Sequence, residues 1–138
     1  MRVLLDANVL VSVLNKEYPV FTYASRLLSL SDQSRFHFFV TPLSLSIAAY
    51  FSAKKSGGAS AKSKIKLLSD HLSIAIVNEQ CIKQALTNKA VEDFEDGMQY
   101  YAALNERCDC IITENKQDYY FSDIEVASSE EFLINHST

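Results

Sequence analysis

The chain has 138 residues, of which 48% are hydrophobic and 22% are charged, with a formal net charge of −4 at pH 7. This composition supports a buried core and excludes a disordered tail, and the length fits one domain spanning residues 1–138. No apolar run approaches the roughly 20 residues of a membrane span, and Asp6 interrupts the first apolar stretch before a signal-peptide core can form. We therefore expect a cytoplasmic protein without membrane contact.

The predicted elements alternate between short apolar strands and helices along the whole chain. Strands are expected at residues 2–5, 36–40, 72–77, 110–113 and 124–127. Helices are expected from about residue 9 and then at 18–30, 43–53, 62–70, 79–86, 93–107 and 129–134. Such alternation builds βαβ units, so the predicted fold class is α/β: a three-layer α/β/α sandwich with a five-stranded, mostly parallel sheet.

The helix predicted at residues 93–107 has the strongest apolar pattern of the chain. Its expected buried face consists of Phe94, Met98, Tyr101 and Leu104, together with Ala102. An apolar stripe of this kind is typical of a helix that covers a core.

The charges are divided unevenly along the chain. Residues 1–88 contain 10 Lys and Arg against 5 Asp and Glu, whereas residues 89–138 contain 3 against 12. This division suggests a basic surface beside an acidic focus, which an enzyme acting on nucleic acid needs for phosphates and for metal. The alternative is that one half simply carries more solvated acidic helix.

Five lysines without an intervening acid surround the SGGAS segment at residues 56–60: Lys54, Lys55, Lys62, Lys64 and Lys66. Lysines in such a run can track a phosphate backbone, so Lys54, Lys55, Lys62 and Lys64 are candidate RNA contacts. A solvated helical face is an equally good explanation.

The three cysteines, Cys81, Cys108 and Cys110, form an odd set. Disulfide-stapled secreted folds usually have an even and denser set. The Cys108-x-Cys110 pair has no further Cys or His nearby to complete a zinc site. The prediction is three buried free thiols.

Acidic residues recur where predicted strands end and helices begin. Asp6 ends the first strand, Asp93 and Asp96 open the strong helix, and Asp118 lies five residues beyond the fourth strand. The carboxyl ends of parallel strands share one edge of a sheet with the N-termini of the following helices. Carboxylates crowded there repel one another unless a cation neutralises them, and hard oxygen ligands suit Mg²⁺ or Mn²⁺. Asp6, Asp96 and Asp118 are therefore candidate metal ligands, with Asp93 as a further candidate.

Each part of this pattern also has a purely structural interpretation. Acids at a helix N-terminus complement the helix dipole, and Asp93-x-x-Asp96 resembles a capping box with Asp in place of Glu or Gln. Asn8 is expected to cap the first helix under either interpretation. Asn115 can orient a neighbouring carboxylate, or form an ordinary turn after the strand. Asp6 is harder to explain in this way, because a charge directly after a core strand is unfavourable without a partner.

Together these segments resemble a PIN-domain nuclease over nearly the whole chain. The resemblance rests on LLDANVL at 4–10, DFEDGMQYYAAL at 93–104 and IITENKQDYYFSDIEVASSEEFL at 111–133. The family motifs match Asp6, Asp96 and Asp118 as the catalytic acids, and the last motif adds Thr113 and Asn115. The resemblance implies a five-stranded parallel sheet and a Mg²⁺- or Mn²⁺-dependent ribonuclease.

The DFED helix is similar to a bacterial branch of this family. Many of its small bacterial members are VapC-type toxins, so the resemblance also implies RNA as substrate and an antitoxin as partner. Homodimerisation is a further expectation from the family.

The chain departs from the family pattern at one acid. PIN nucleases usually place a second acid early in the helix after strand two, in a pattern such as Ser-x-Leu-Thr-x-x-Glu. Here that stretch is TPLSLSIAAY at 41–50, with Ile47 in the position of the acid, and Glu114 stands where relatives often have a basic residue. Two hypotheses follow: a metal-dependent ribonuclease, or a catalytically weakened or inactive PIN-fold binding module.

A phosphotransfer receiver domain also places acids at strand ends. It would need a pair of adjacent acids after the first strand, an Asp after the third and a Lys after the fifth. The sequence contains none of these at the predicted strand ends, so this class is disfavoured.

Overall fold

The computed structural model describes residues 1–136 of the chain. The strands are β1 (Arg2–Leu5), β2 (His37–Val40), β3 (Ser73–Ile74), β4 (Cys110–Ile112) and β5 (Glu125–Ala127). The α-helices are α1 (Ala7–Leu14), α2 (Val20–Ser29), α3 (Pro42–Ser56), α4 (Gly58–Ser69), α5 (Glu79–Thr87), α6 (Phe94–Asn105) and α7 (Ser129–His136). None of the helices in this part of the chain is long and apolar enough to cross a membrane.

The five strands form a single sheet in the order β3-β2-β1-β4-β5. All four strand pairings are parallel, which confirms the predicted parallel sheet. The chain builds outward from β1 through β2 and β3, and then returns to the other side of β1 to add β4 and β5. The switch in direction therefore lies between β1 and β4, and open α/β sheets bind ligands at such a point.

Helices cover both faces of the sheet, as predicted. Along β1, Val3 and Leu5 join one buried cluster and Leu4 joins another, because successive side chains of a strand point to opposite faces. Among the helices, α1 and α2 contribute most of the first cluster, and α6 contributes most of the second. The result is the predicted three-layer α/β/α sandwich.

Two element boundaries differ from the prediction at places that affect the site or the sheet edge. The third strand is Ser73–Ile74 rather than 72–77, because β3 is an edge strand and the chain leaves the sheet after Ala75 donates its N–H to the Val40 carbonyl oxygen. The first helix begins at Ala7 rather than near residue 9. Asp6 is therefore its N-cap, and the prediction that Asn8 is the cap was wrong.

Helices α3 and α4 lie closer together in sequence than the SGGAS segment suggested. Helix α3 continues to Ser56, and α4 begins at Gly58 instead of residue 62. Gly57 alone separates them, with φ of +86°, a conformation that glycine adopts without steric strain. A single residue, Gly57, therefore separates the two helices, whereas the sequence predicted a break of five residues.

Helix α6 buries only part of the face that its apolar residues predict: Ala102 is buried and Tyr101 packs against the core, whereas other members of that face are exposed. Its buried residues are Gly97, Gln99, Tyr100, Ala102 and Ala103. Phe94 and Leu104, which were assigned to the buried face, are 41% and 37% exposed. Small residues let α6 approach its neighbours closely, and this close approach decides the rotation of the helix.

Gly97 marks the closest approach of α6 to its surroundings. A Cβ atom added there would lie 2.7 Å from Val91 Cγ1 and 2.9 Å from Ala85 Cβ. We expect Gly97→Ala to lower Tm by about 3 °C, because overpacking outweighs the gain in helix propensity by about 1 kcal/mol. Gly58→Ala is the matched control, since an added Cβ meets nothing within 4 Å. Thermal unfolding followed by circular dichroism measures both, and a Gly97→Ala protein as stable as wild type would contradict the packing argument.

The cysteines are free and buried within the described part of the chain. Burial raises the pKa of the Cys108 thiol to about 12 and also raises the pKa of Cys110. Buried neutral thiols behave as small apolar side chains, so the prediction of buried free thiols is confirmed.

Candidate metal centre

The ends of β1 and β4 bring Asp6 and Thr113 side by side. Leu5 pairs with Ile112 in the parallel register, and Asp6 donates its backbone N–H to the Ile112 carbonyl oxygen at 2.9 Å. One residue beyond each of these strands, the Thr113 hydroxyl donates to Asp6 Oδ2 at 2.8 Å. The sheet therefore orients one carboxylate oxygen of Asp6 directly.

The second oxygen of Asp6 is held by two N–H donors. Asp6 Oδ1 accepts a hydrogen bond from the Ala7 backbone N–H at 2.8 Å and another from Gln99 Nε2 at 3.2 Å. Asp6 is consequently both the cap of α1 and a fixed carboxylate at the switch point.

Gln99 was not selected from the sequence, although it is central to the site. Its side chain is only 2% exposed. Besides its bond to Asp6, Gln99 donates to Ser44 Oγ and accepts a hydrogen bond from the Thr41 hydroxyl. Thr41 in turn caps α3 by accepting from the Ser44 backbone N–H at 3.0 Å. The buried amide thus connects Asp6 with the first turn of α3.

Asn8 and Asn115 belong to a second group of hydrogen bonds, centred on Thr113. Asn8 Nδ2 and the Asn115 backbone N–H both donate to the Thr113 hydroxyl oxygen at 3.1 Å. Asn8 Oδ1 accepts from the Glu114 backbone N–H at 3.2 Å. Thr113 can therefore donate its only hydroxyl proton to Asp6, whereas Asn115 takes part in this group through its backbone N–H and not through its side-chain amide.

A cleft of about 460 Å³ opens at this edge of the sheet. Six of its lining residues are acidic: Asp6, Glu17, Glu95, Asp96, Glu114 and Asp118. The remaining lining residues are Ala7, Asn8, Val11, Ser12, Val20, Ile47, Phe51 and Asn115. No Lys, Arg or His is among them. The fold therefore brings Asp6, Asp96 and Asp118 into one cleft and adds three acids that have no nearby cation in its wall.

Crowding of the acids changes the protonation of the cleft. The pKa of Asp96 is raised to about 7, first by burial and then by the charges of Asp93, Asp6, Asp118 and Glu95. The pKa of Glu95 is also raised, by burial and by the charges of Asp93 and Asp6. Like charges that disfavour ionisation in this way create a strong local preference for a cation.

Tyr119 lies beneath the acids and was not selected as a site residue. It is 2% exposed, and its hydroxyl makes no hydrogen bond of ordinary length and angle to the described residues, although it lies close enough to Asp6 for that carboxylate to raise its pKa. Burial is the main cause that raises its pKa, followed by the negative charges of Asp6, Asp96 and Asp118. Tyr119 therefore remains a neutral phenol beside the carboxylates, with an O–H group available as a donor.

Asp93 occupies a different position from the other candidate ligands. Its carboxylate accepts from the Asp96 backbone N–H at 3.2 Å and caps α6, as the structural interpretation of the DFED segment proposed. Asp93 does not line the cleft, whereas Glu95 does. The charge of Asp93 raises the pKa of Asp96 and of Glu95. Glu95 is the additional acid of the cleft that the sequence did not identify.

The carboxylates share the cleft without forming a closed cage. Within residues 1–136, no three His, Cys, Asp or Glu side chains are close enough together to form a ready-made metal site. Asp6 is fixed by its hydrogen bonds, whereas Asp118 is exposed on a short 3-10 helix, Lys116–Tyr119. The donor set is chemically right for a hard divalent cation, with carboxylates and the Asn115 amide in one uncompensated acidic cleft.

Two of the four lysines proposed as RNA contacts have structural partners. Lys55 Nζ donates to the Asn15 carbonyl oxygen, and Lys64 Nζ donates to the Leu14 carbonyl oxygen at 3.5 Å. Both cations thus serve the C-terminus of α1, where the helix dipole favours positive charge. Lys54 contacts the Tyr50 ring, with Nζ 5.3 Å from its centroid, and Lys62 is exposed. RNA contact by these lysines stays a prediction.

A larger groove of about 550 Å³ lies between α2 and α4, away from the acids. Its lining is mostly apolar and includes Phe21, Leu28 and Leu67. Asp32 is the one acid in that lining, so this groove does not share the cation preference of the acidic cleft.

The parallel sheet, its helical layers and an acidic cleft at the switch point between β1 and β4 are the features of a PIN domain. The PIN domain model matches residues 2–117, and the chain belongs to the PIN domain family. Ribonuclease VapC1 of Aquifex aeolicus (strain VF5) is 27% identical over 141 residues, covering 99% of this chain and 96% of that protein.

Solved structures show the same fold. The VapBC2 complex from Rickettsia felis, bound to a DNA fragment from the promoter, has a TM-score of 0.70 at 16% identity and covers 93% of this chain and 98% of that one. VapBC-1 from nontypeable Haemophilus influenzae has a TM-score of 0.68 at 14% identity, with 94% and 99% covered. VapC20 of Mycobacterium tuberculosis, a sarcin-ricin loop cleaving toxin, has a TM-score of 0.63 at 13% identity, with 79% and 86% covered.

The raised pKa of Asp96 leads to a pH-dependent prediction. Since the folded pKa of about 7 exceeds the ordinary value of 3.8, ionisation of Asp96 opposes folding, and this penalty grows as the pH rises from 3.8 to about 7. Asp96→Asn should therefore raise Tm at pH 8 and have little effect at pH 4. Solvent screening of this half-buried group limits the gain to about 1 kcal/mol, or about 3 °C. Thermal unfolding without metal at both pH values tests this, and a lower Tm for the variant at pH 8 would contradict it.

Proposed function

We propose that the chain is a divalent-metal-dependent endoribonuclease of the VapC type, acting in the cytoplasm as the toxin of a toxin–antitoxin pair. The observation that carries this proposal is the cleft with six acids and no basic residue in its lining. Its support from known proteins is the PIN family membership and the likeness to Ribonuclease VapC1 along 99% of the chain.

In this proposal Asp6, Asp96 and Asp118 hold Mg²⁺ or Mn²⁺. A cation bound there would supply a water of lowered pKa and would neutralise charge on the phosphodiester. Thr113 and Gln99 keep the Asp6 carboxylate in one orientation through their hydrogen bonds to its two oxygens. Asp118, which is exposed, supplies an adaptable carboxylate, and Asn115 adds a neutral oxygen at the same wall.

The rival hypothesis is a weakened or inactive binding module on the same fold. It is favoured by Ile47, which lines the cleft where a PIN nuclease usually has an acid. Glu95 also lines the cleft and belongs to the first turn of α6, so the wall contains six acids although Ile47 is not one of them. This composition favours the nuclease.

The proposal includes an antitoxin and a second copy of the chain as protein partners. Two of the similar structures are VapBC complexes. We infer an antitoxin partner for this chain from its similarity to them. Co-expression with the protein encoded beside it, followed by purification, tests the antitoxin, and light scattering tests the dimer.

The decisive experiment combines calorimetry with cleavage of RNA. Wild-type protein is titrated with Mn²⁺ and then incubated with a labelled single-stranded RNA in Mn²⁺ or in EDTA. The nuclease hypothesis requires metal binding and cleavage that EDTA abolishes. A folded protein that binds no Mg²⁺ or Mn²⁺ at millimolar concentration would support the binding module instead.

A further inference from the structure

The acidic cleft has a second, apolar side that metal binding does not explain. Val11 of α1, Val20 of α2, and Ile47 and Phe51 of α3 line it together with the acids. The acids come mainly from the end of β1, the first turn of α6 and the segment after β4. The cleft therefore joins a carboxylate wall to an apolar wall built by different elements.

Core packing does not account for the two α3 residues of this wall. Helix α3 buries Ser44, Ala48 and Ser52. Ile47 and Phe51 are one turn apart and form a strip next to that buried face. Ile47 is half-buried, and Phe51 is 45% exposed. Their apolar surface is thus turned toward the cleft and solvent.

The strip continues along α3 into an aromatic and basic surface. The rings of Tyr50 and Phe51 meet edge to face with centroids 5.3 Å apart. The Lys54 ammonium lies 5.3 Å from the Tyr50 centroid, and Tyr50 is 59% exposed. An exposed aromatic pair with an adjacent cation has the composition of a stacking platform for single-stranded nucleic acid.

A ligand that fits both walls must carry a flat apolar group close to a group that binds a hard cation. A nucleotide unit of RNA has this form, with its base beside its phosphate. Bases within a duplex are already stacked on their neighbours, whereas an unpaired base offers its face to an aromatic side chain. An unpaired nucleotide therefore fits both walls: its phosphate lies by a cation held by the acids, and its base lies against the apolar side chains.

We propose that Ile47 and Phe51, with Val11 and Val20, form a base-binding subsite beside the acids, in which one unpaired base of the RNA lies against the apolar wall. The proposal rests on the ribonuclease function and assigns Ile47 a role: it extends the apolar wall in place of an acid. Phe51 stacks on the base next to the cleaved phosphodiester, and Tyr50 and Lys54 support the neighbouring part of the strand.

The test compares two probes with equal charge. Fluorescein-labelled single-stranded RNA is measured by anisotropy against an abasic ribose-phosphate oligomer of the same length, in EDTA, where no cleavage takes place. Because both probes carry the same phosphates, repulsion by the acids affects them alike. Wild-type protein is expected to prefer the base-containing probe by about tenfold, and Phe51→Ala should remove most of this preference. Equal binding of the two probes to wild type would overturn the proposal.

Leu86→Ala is the matched control, because Leu86 is 66% exposed on α5 and does not line the cleft. It should keep the wild-type preference. If Phe51→Ala instead converts a dimer to a monomer in light scattering and leaves the preference unchanged, the surface is a protein interface and the base subsite is wrong. These measurements need no metal, so their outcome is independent of the calorimetry. A failure of Mn²⁺ binding would contradict the nuclease hypothesis, and the base preference would still be tested by the two probes.

Ile47→Glu distinguishes two explanations for Ile47: that it belongs to the apolar base subsite, or that it simply replaces a lost metal-binding acid. The base subsite predicts that Ile47→Glu loses the preference for the base-containing probe, because a charge enters the apolar wall. An unchanged preference together with faster Mn²⁺-dependent cleavage would show that Ile47 is only a missing acid, and would contradict the role assigned to it here.

Discussion

Asp6→Asn is expected to reduce Mn²⁺-dependent RNA cleavage by about 1,000-fold, the effect of losing several kcal/mol of metal-based stabilisation of the transition state. Asp6 accepts hydrogen bonds from Ala7 and Gln99 on one oxygen and from Thr113 on the other. Asn can still cap α1 through its oxygen. The loss should therefore appear in metal affinity and kcat while the protein stays folded.

Asp109→Asn is a close control for this variant. Asp109 precedes β4 at the opposite edge of the sheet, where its carboxylate accepts from the Arg2 backbone N–H at 2.9 Å. The same chemical change there should leave cleavage unaltered. Full cleavage by Asp6→Asn, with Mn²⁺ bound as in wild type, would eliminate the metal-dependent mechanism proposed for this cleft.

Gln99→Met is expected to weaken Mn²⁺ binding by about 10- to 100-fold, the range for residues that orient a metal ligand. The substitution keeps the side-chain volume close to that of Gln while removing the amide that connects Asp6 with Thr41 and Ser44. Asp6 then keeps only Ala7 and Thr113 as donors. Gln99 is a positioning residue, so KM for RNA should change much less than kcat and metal affinity.

Loss of buried hydrogen bonds also destabilises the protein, by about 1–3 kcal/mol, and the control must match that loss. Tyr100→Phe removes a buried hydroxyl from the same helix, where Tyr100 accepts from the Asp123 backbone N–H at 3.1 Å. A similar fall in Tm with unchanged Mn²⁺ affinity is expected for Tyr100→Phe. Equal Mn²⁺ affinity in Gln99→Met and wild type would show that the amide is only a structural part of the core.

Much of the fold could be predicted from local pattern. Buried strands of a parallel sheet are short apolar runs, and their alternation with helices determines the layer structure whatever the details of packing. The position of Asp6 at the end of β1 and of Asp93 and Asp96 at the start of α6 follows from the same local signals. The weakest strand prediction was β3, because an edge strand has one partner and its length depends on where that partner stops.

The chain by itself determined the order of the elements and the acids at the strand ends, because both depend on residues close together in sequence. Only the tertiary structure decided which side chains of each helix face the cleft. The rotation of α6 follows from its contact with Val91 and Ala85 at Gly97, and that rotation buries Gln99 and exposes Phe94. It likewise places Glu95 at the cleft and leaves Asp93 as a cap. The placement of Ile47 and Phe51 beside the acids depends on how α3 packs against α1, which apolar periodicity does not encode.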